Sequence, residues 1–229
     1  MRRINWIVES TGKATSRTTQ SASLVERATL AAKSAVMLVA LALPAVLTTP
    51  SFAASQEWRV VPGADGTEVV FESKAPMESF EGKTKQLDGR IALDPAALGD
   101  SIIVSVAVDL ASLDTGIALR NQHMRENHLE TETFPKATFT GARLAGFPST
   151  LSAGKTVKGK AHGTFDLHGV SRPVEVEAEL TLRPDGKLAV RATFEVFLED
   201  YEIDRPKFLM LKLDEKQRIT VDLLADPAS

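Results

Sequence analysis

Residues 101–139 read S-I-I-V-S-V-A-V-D-L-A-S-L-D-T-G-I-A-L-R-N-Q-H-M-R-E-N-H-L-E-T-E-T-F-P-K-A-T-F, and this stretch decides the fold. Its first part alternates: Ile102, Val104, Val106, Val108 and Leu110 share one face, Ser105, Ala107 and Asp109 the other. Side chains of a strand point to opposite faces in turn, so a period of two marks a strand with one buried face. The alternation stops at Ser112-Leu113-Asp114-Thr115-Gly116. Beyond it Ile117, Asn121, Met124 and His128 recur at helical spacing, with Arg120 and Arg125 on the polar flanks. Asp114 or Thr115 is expected to cap that helix by accepting a hydrogen bond from one of its free N–H groups. Pro135 blocks continuation of the helix, and Ala137 and Phe139 restart a strand. A strand, one short helix and another strand, in a chain otherwise made of strands, predict a sheet closed on itself with a helix over one end.

Working outward, Trp58 and Val60 open a first strand that ends at the turn cluster Pro62-Gly63-Ala64-Asp65-Gly66. Val69 and Phe71 share a face against Glu68, Val70 and Glu72; Met77 and Phe80 follow, then a segment over residues 82–93 with Leu87, Ile91 and Leu93 in one parity. After the central stretch come strands over residues 156–167, 174–182, 188–198 and 218–224. His168-Gly169-Val170 and Pro184-Asp185-Gly186 supply turns between them. About eight or nine strands, with no repeating βαβ unit, predict an all-β antiparallel fold. Strands as long as residues 156–167 favour a tilted barrel of about eight strands over a sandwich.

The first 53 residues read as a leader. Lys33 precedes an apolar run over residues 34–47, and Ser51 and Ala53 are the small residues of a cleavage site after Ala53, the pattern of a secretory signal peptide. The domain is therefore expected over residues 54–229. The leader holds six of the Lys/Arg and two of the Glu, so the remainder carries 21 basic and 28 acidic residues, a net charge near −7. A body this acidic has no general attraction for phosphate backbones, which argues against nucleic acid. There is no cysteine, which excludes disulfides, thiolate chemistry and a lipid-modified cysteine anchor.

Chemistry-bearing patterns are sparse. Asp114-Thr115-Gly116 spells the aspartic-protease triplet, but that chemistry needs two carboxylates sharing one proton, and here the triplet stands where helix caps are expected. His123 and His128 are five apart and predicted on different sides of a helix. His162 and His168 are six apart, nearly 20 Å along an extended strand. Neither pair makes a metal site alone. No nucleophile elbow, zinc-protease helix, phosphate loop or dinucleotide fingerprint is present. What remains is the interior. A barrel of about eight strands is either filled by its side chains or holds one small ligand, and the pattern leaves both open. Its inward candidates are Phe71, Phe80, Val104, Val106, Val108, Phe139, Phe165, Leu167, Phe194 and Val196.

The runs S-L-D-T-G-x-x-x-R-x-x-H-M-R (residues 112–125), F-P-K-A-T-F (134–139), G-T-F-D-L-H-G-V-S-R-P-V (163–174) and F-E-V-F-L-E-D-Y-E-I (194–203) together resemble the YceI-like family of bacterial polyisoprenoid-binding proteins. The likeness spans about residues 58–224. It implies a periplasmic or secreted, lipocalin-like antiparallel barrel whose apolar tunnel holds a long isoprenoid or a similar quinone-like lipid without catalysing a reaction. Arg120 and His123 match the helix R-x-x-H, and His168 the L-H-G-V, as polar candidates; Ile117 and Met124 are expected at the tunnel mouth or as its end cap. The resemblance supplies no catalytic residue, metal or cofactor. A transient membrane contact and a dimer are compatible with it. The rival readings are a histidine-dependent enzyme, which predicts a stoichiometric metal, and an envelope module with a filled barrel. The segment over residues 204–211 is expected either to cover the tunnel or to link strands.

Overall fold

The computed structural model describes residues 55–74, 79–99, 102–205, 207–208, 211–212 and 214–228. Along them run β1 (Gln56–Val60), β2 (Glu68–Lys74), β3 (Ser79–Thr84), β4 (Leu87–Leu93), β5 (Ile103–Asp109), helix α1 (Ala118–His123), β6 (Lys136–Ala145), β7 (Thr156–Leu167), β8 (Val170–Leu182), β9 (Leu188–Phe197), β10 (Lys207–Phe208), β11 (Leu211–Lys212) and β12 (Lys216–Pro227). The leader over residues 1–53, and Met77, lie outside the described residues.

The strands β1-β4-β5-β6-β7-β8-β9-β12 are antiparallel neighbours in that order. The ring closes where β12 meets β1, through Trp58↔Pro227 and Arg59↔Asp226. This is an eight-stave antiparallel barrel, as the alternation predicts. β2 also lies on β12, from Arg218↔Glu72 to Asp222↔Glu68, and β3 lies on β2. So β1 and β2 are successive parts of one stave, and β3 and β4 of the next. The cluster at residues 62–66, which the sequence presents as a reversal, is an excursion after which the chain resumes its direction. Gly63 and Gly66 take φ of 75° and 79° to make it. The excursion takes backbone partners away from β12, and the buried Thr67 hydroxyl fills that gap by accepting from the Leu224 N–H at 3.0 Å.

A bulge changes the parity of β6. Thr140 pairs with Thr164 but Arg143 with His162, so one extra residue sits on the β6 side, and Gly141 (φ 70°) takes the left-handed turn there. Phe139 faces inward before the bulge and Ala142 and Leu144 after it. Small residues then line the waist: Ala142, Ala161, Gly163, Ala178 and Ala192. Gly163 has a specific reason to lack a side chain. A Cβ there would lie 2.5 Å from the Phe139 ring and 2.8 Å from the Thr140 carbonyl oxygen. Gly163→Ala is therefore expected to destabilise the fold by about 1–3 kcal/mol, read as a lowered urea midpoint with unchanged slope.

Apolar packing gathers toward the two ends of the bore. Away from the helix, Trp58, Leu93, Leu98, Leu151, Leu188 and Ala225 are buried, and the Trp58 Nε1–H donates to the Gly186 carbonyl at 2.9 Å across the barrel floor. At the helix end Leu110, Leu113, Phe165, Phe194, Tyr201 and Ile203 form a second cluster, with Phe165 edge-on to both Phe194 and Tyr201. The outer face carries ion pairs between neighbouring strands, including Lys158–Glu179, Lys160–Glu175 and Arg191–Asp222. These glutamates are the solvated face of β8, and exposed pairs of this kind add little stability.

Candidate functional site

Between the two clusters the bore holds a cavity of about 840 Å³. That volume lies within the roughly 300–1,000 Å³ usual for small-molecule sites. All ten inward residues predicted from alternation line it: Phe71, Phe80, Val104, Val106, Val108, Phe139, Phe165, Leu167, Phe194 and Val196. The phenylalanines stand against the wall and do not fill the bore. Phe139 does so by lying over Gly163, and Phe71 over Gly82, opposite it on β3. Ile117 and Met124 line the cavity at the helix end, and so does Leu119, a position that helical spacing alone did not single out. Ile117 is 50% exposed and Leu119 61%, so the cavity reaches solvent beside α1.

The expected helix forms, but its capping differs. α1 starts after Ile117, which makes no side-chain cap hydrogen bond. Asp114 Oδ1 instead accepts from the Gly116 N–H (2.8 Å) and the Asn121 amide (2.7 Å), while the Thr115 N–H and hydroxyl both donate to Asn121 Oδ1. Those two donors hold the Asp114 carboxyl below the usual carboxylate range. The Asp114 backbone exchanges two 2.9 Å hydrogen bonds with Lys83 of β3. The triplet is thus a joint fastening the helix to the barrel. Asn121, only 9% exposed, is its pin. Arg120 adds to the same joint. Its guanidinium donates to the Thr115 hydroxyl and carbonyl, both at 2.9 Å, and lies 4.1 Å from the Phe80 ring centroid.

The histidines divide. His123 and His128 both border the cavity, although five residues apart. The reason is that residues Met124–His128 form a π-helical turn, closed by the Leu129 N–H on the Met124 carbonyl, and its wider winding brings such positions round to one side. His128 Nδ1 lies 3.0 Å from the Asp204 carbonyl, which can only accept, so Nδ1 carries the proton. Burial pushes this imidazole below its usual range, opposed by the Asp204 carbonyl and carboxylate and helped by the neighbouring His123. Neutral His128 then keeps its Nε2 lone pair.

His168, a polar candidate by sequence, lies outside the cavity. It shares the tight β7–β8 turn with Gly169, both at positive φ (53° and 76°), the backbone such two-residue hairpins need. Its ring packs on Phe134 and its Nδ1 donates to the Tyr201 carbonyl at 3.1 Å. Nε2 is buried without a hydrogen-bond partner, 3.9 Å from the Glu130 carboxylate. His168 secures the segment after the helix to the rim. Gln217 on β12 is a lining residue that the sequence reading missed; its amide donates to the Asp214 carbonyl at 2.7 Å. Among the described residues no three His, Asp or Glu side chains converge as a metal site would require. Among the described residues the polar lining is Arg120, His123, His128 and Gln217, all at the helix end, and the other lining side chains are apolar.

A sequence profile of the YceI-like domain matches residues 58–225, the whole barrel. The chain belongs to the YceI-like family. The YceI-like domain here is 34% identical over 100 residues to a UPF0312 protein of Photorhabdus laumondii, covering 43% of this chain and 47% of that one. It is 33% identical over 131 residues to Protein YceI of Shigella flexneri, covering 53% of this chain and 62% of the relative. The aligned part thus spans about half to three-fifths of those relatives. Among solved structures its fold is similar to BcnA of Burkholderia cenocepacia (TM-score 0.59, 18% identity, 70% of this chain and 96% of that one). It is similar also to a polyisoprenoid binding domain of Saccharophagus degradans implicated in plant cell wall breakdown (TM-score 0.57, 18% identity, 76% and 100%). At such identities the likeness is one of fold.

Proposed function

We propose that this protein binds a long, linear apolar molecule, a polyisoprenoid or a quinone-like lipid with a prenyl tail, and carries it without chemical change. The observation that supports the reading most directly is the bore of about 840 Å³, whose described lining is apolar along its length and polar at the helix end. Such a lining orients its occupant: the tail lies toward the Trp58 floor, and a polar head stays near Arg120, His123, His128 and Gln217. The name of the similar Saccharophagus domain supports the same ligand class. An open bore is also what a filled-barrel envelope module lacks. We place the protein outside the cytoplasm, in the periplasm or secreted, on the strength of the apolar run and small residues before Ala53.

Burying one CH₂ is worth about 0.8 kcal/mol, so a five-carbon unit contributes roughly 3–4 kcal/mol before the costs of binding. Affinity should therefore climb steeply along a series of prenyl alcohols of increasing length and level off once the bore is full. Extraction of the purified protein with organic solvent, followed by mass spectrometry, is expected to release one long prenyl compound per chain. A protein that yields none, and binds no member of the series when it is supplied, is not a prenyl-lipid carrier.

A further inference from the structure

Following the lining strand by strand locates where the bore stops. On β8 it runs through Val176, Ala178 and Leu180 and leaves out Leu182, the next inward position toward the floor. On β12 it reaches Leu223 and leaves out Ala225. β7 drops out sooner. Ala161 lines the cavity, but Gly159 and Val157, the partners of Ala178 and Leu180, do not. The Phe147 ring accounts for the difference, because it lies over Gly159 and lines the bore in its place. A Cβ on Gly159 would run into that ring and would lie 2.7 Å from the Ala145 carbonyl oxygen, so the close approach needs a glycine there.

Phe147 belongs to the connection between β6 and β7, and that connection is tied down. Gly146 (φ 75°) turns the chain out of β6. The Leu98 N–H then donates to the Ser149 carbonyl at 2.7 Å, the Leu151 N–H to the Pro95 carbonyl at 2.8 Å, and the Gly154 N–H to the Leu182 carbonyl at 2.7 Å. The ring packs on the floor cluster that holds Trp58, Leu98 and Leu151, none of which lines the bore. An aromatic side chain has few rotamers, and one held by a fastened backbone makes a fixed wall.

We infer that Phe147 is a specificity-determining residue that sets the length of prenyl tail this protein accepts. The last five-carbon unit of a full-length tail abuts its ring, and the surplus of a longer tail stays outside, beside α1. The inference rests on the proposed prenyl-lipid binding and makes the bore a ruler for that ligand class. A unit that fits gains the burial of its own surface, whereas a unit that meets the ring gains none.

Equilibrium binding of all-trans prenyl alcohols, lengthened one unit at a time from farnesol upward, reads the ruler. In the parent chain each unit up to the limit should tighten binding by about tenfold or more, and each unit past it by less than about threefold. F147A removes the ring and bares Gly159, which leaves room for about one further unit, so its limit should lie one unit longer. F147L should move the limit in the same direction by less, and it supplies the reading if F147A does not fold. L151A is the control. Leu151 is 2% exposed in the same connection but does not line the cavity, so its truncation should lower thermal stability and leave the limit in place. A limit that stays put in the Phe147 variants, or that moves equally in L151A, overturns the ruler alone, as does a parent whose affinity climbs without a limit. A parent that binds no prenyl alcohol of any length overturns the carrier reading instead.

Discussion

Ala178→Phe is expected to weaken the proposed prenyl-lipid binding about a hundredfold while leaving the protein folded and no less thermostable. Ala178 is buried on the inner face of β8, and across the ladder it meets Gly159 on one side and Ala192 on the other. Ala192 has no side chain beyond Cβ and the Phe147 ring lies over Gly159, so a benzyl group at 178 has to project past that ring into the bore. Overpacking a filled core costs about 1–3 kcal/mol, but here the added ring enters open space and gains the burial of its own apolar surface, about 1.5–3 kcal/mol. The ring takes room otherwise held by roughly one five-carbon unit. Losing that unit's contribution of about 3 kcal/mol lowers affinity by about a hundredfold. Mass spectrometry of solvent extracts reads the first effect and thermal unfolding the second. An A178F protein that still carries a full load of prenyl compound would show that the ligand does not occupy the waist of the barrel.

Trp58→Ala should produce the largest loss of stability of any single change proposed for this protein, about 3–5 kcal/mol. Trp58 is 1% exposed and sits on the strand that closes the ring, pairing with Ile91 of β4 and with Pro227 of β12. Its indole N–H reaches the Gly186 carbonyl in the β8–β9 turn, so one side chain ties the seam to the hairpin beyond β12. Truncation opens a cavity at the floor and leaves that carbonyl without its partner. Domains of this size are stable by about 5–15 kcal/mol, so W58A should unfold at a much lower urea concentration. Trp58→Phe keeps most of the packing but not the hydrogen bond, and is expected to lose less. If W58A costs under about 1 kcal/mol, the floor is held by other contacts.

The strands were legible because each has one wet face and one dry face. The alternation at residues 102–110 and again in β7, β8 and β9 names the cavity wall residue by residue. Three features resisted, each for a physical reason. The excursion at residues 62–66 has the composition of a reversal, and only the pairing of both β1 and β2 with β12 shows that direction is kept. The Asp114 and Thr115 side chains have cap chemistry, but the buried Asn121 amide, itself a donor and an acceptor, competes for both and wins. His168 lies in one of the motifs that carry the resemblance, yet it sits at positive φ in the hairpin and its ring packs on Phe134, outside the bore. Gln217 could have been found: it shares parity with Ile219, Val221 and Leu223, and starting the last strand two residues earlier would have placed it inward. Vacancy itself was not legible. Whether alanines and glycines leave a hole depends on how wide the ring closes, and that is fixed by staves far apart in the chain.

The waist of small residues has a consequence for selectivity. Leucine or methionine walls change rotamer to suit a new guest, whereas methyl groups and bare backbone have no rotamers to exchange. At Ala161, Ala178 and Ala192 the gauge of the channel is therefore set by the hydrogen-bonded ladder, which yields little. Such a gauge is expected to sort molecules by thickness, admitting flexible single chains and excluding fused-ring lipids of similar oiliness.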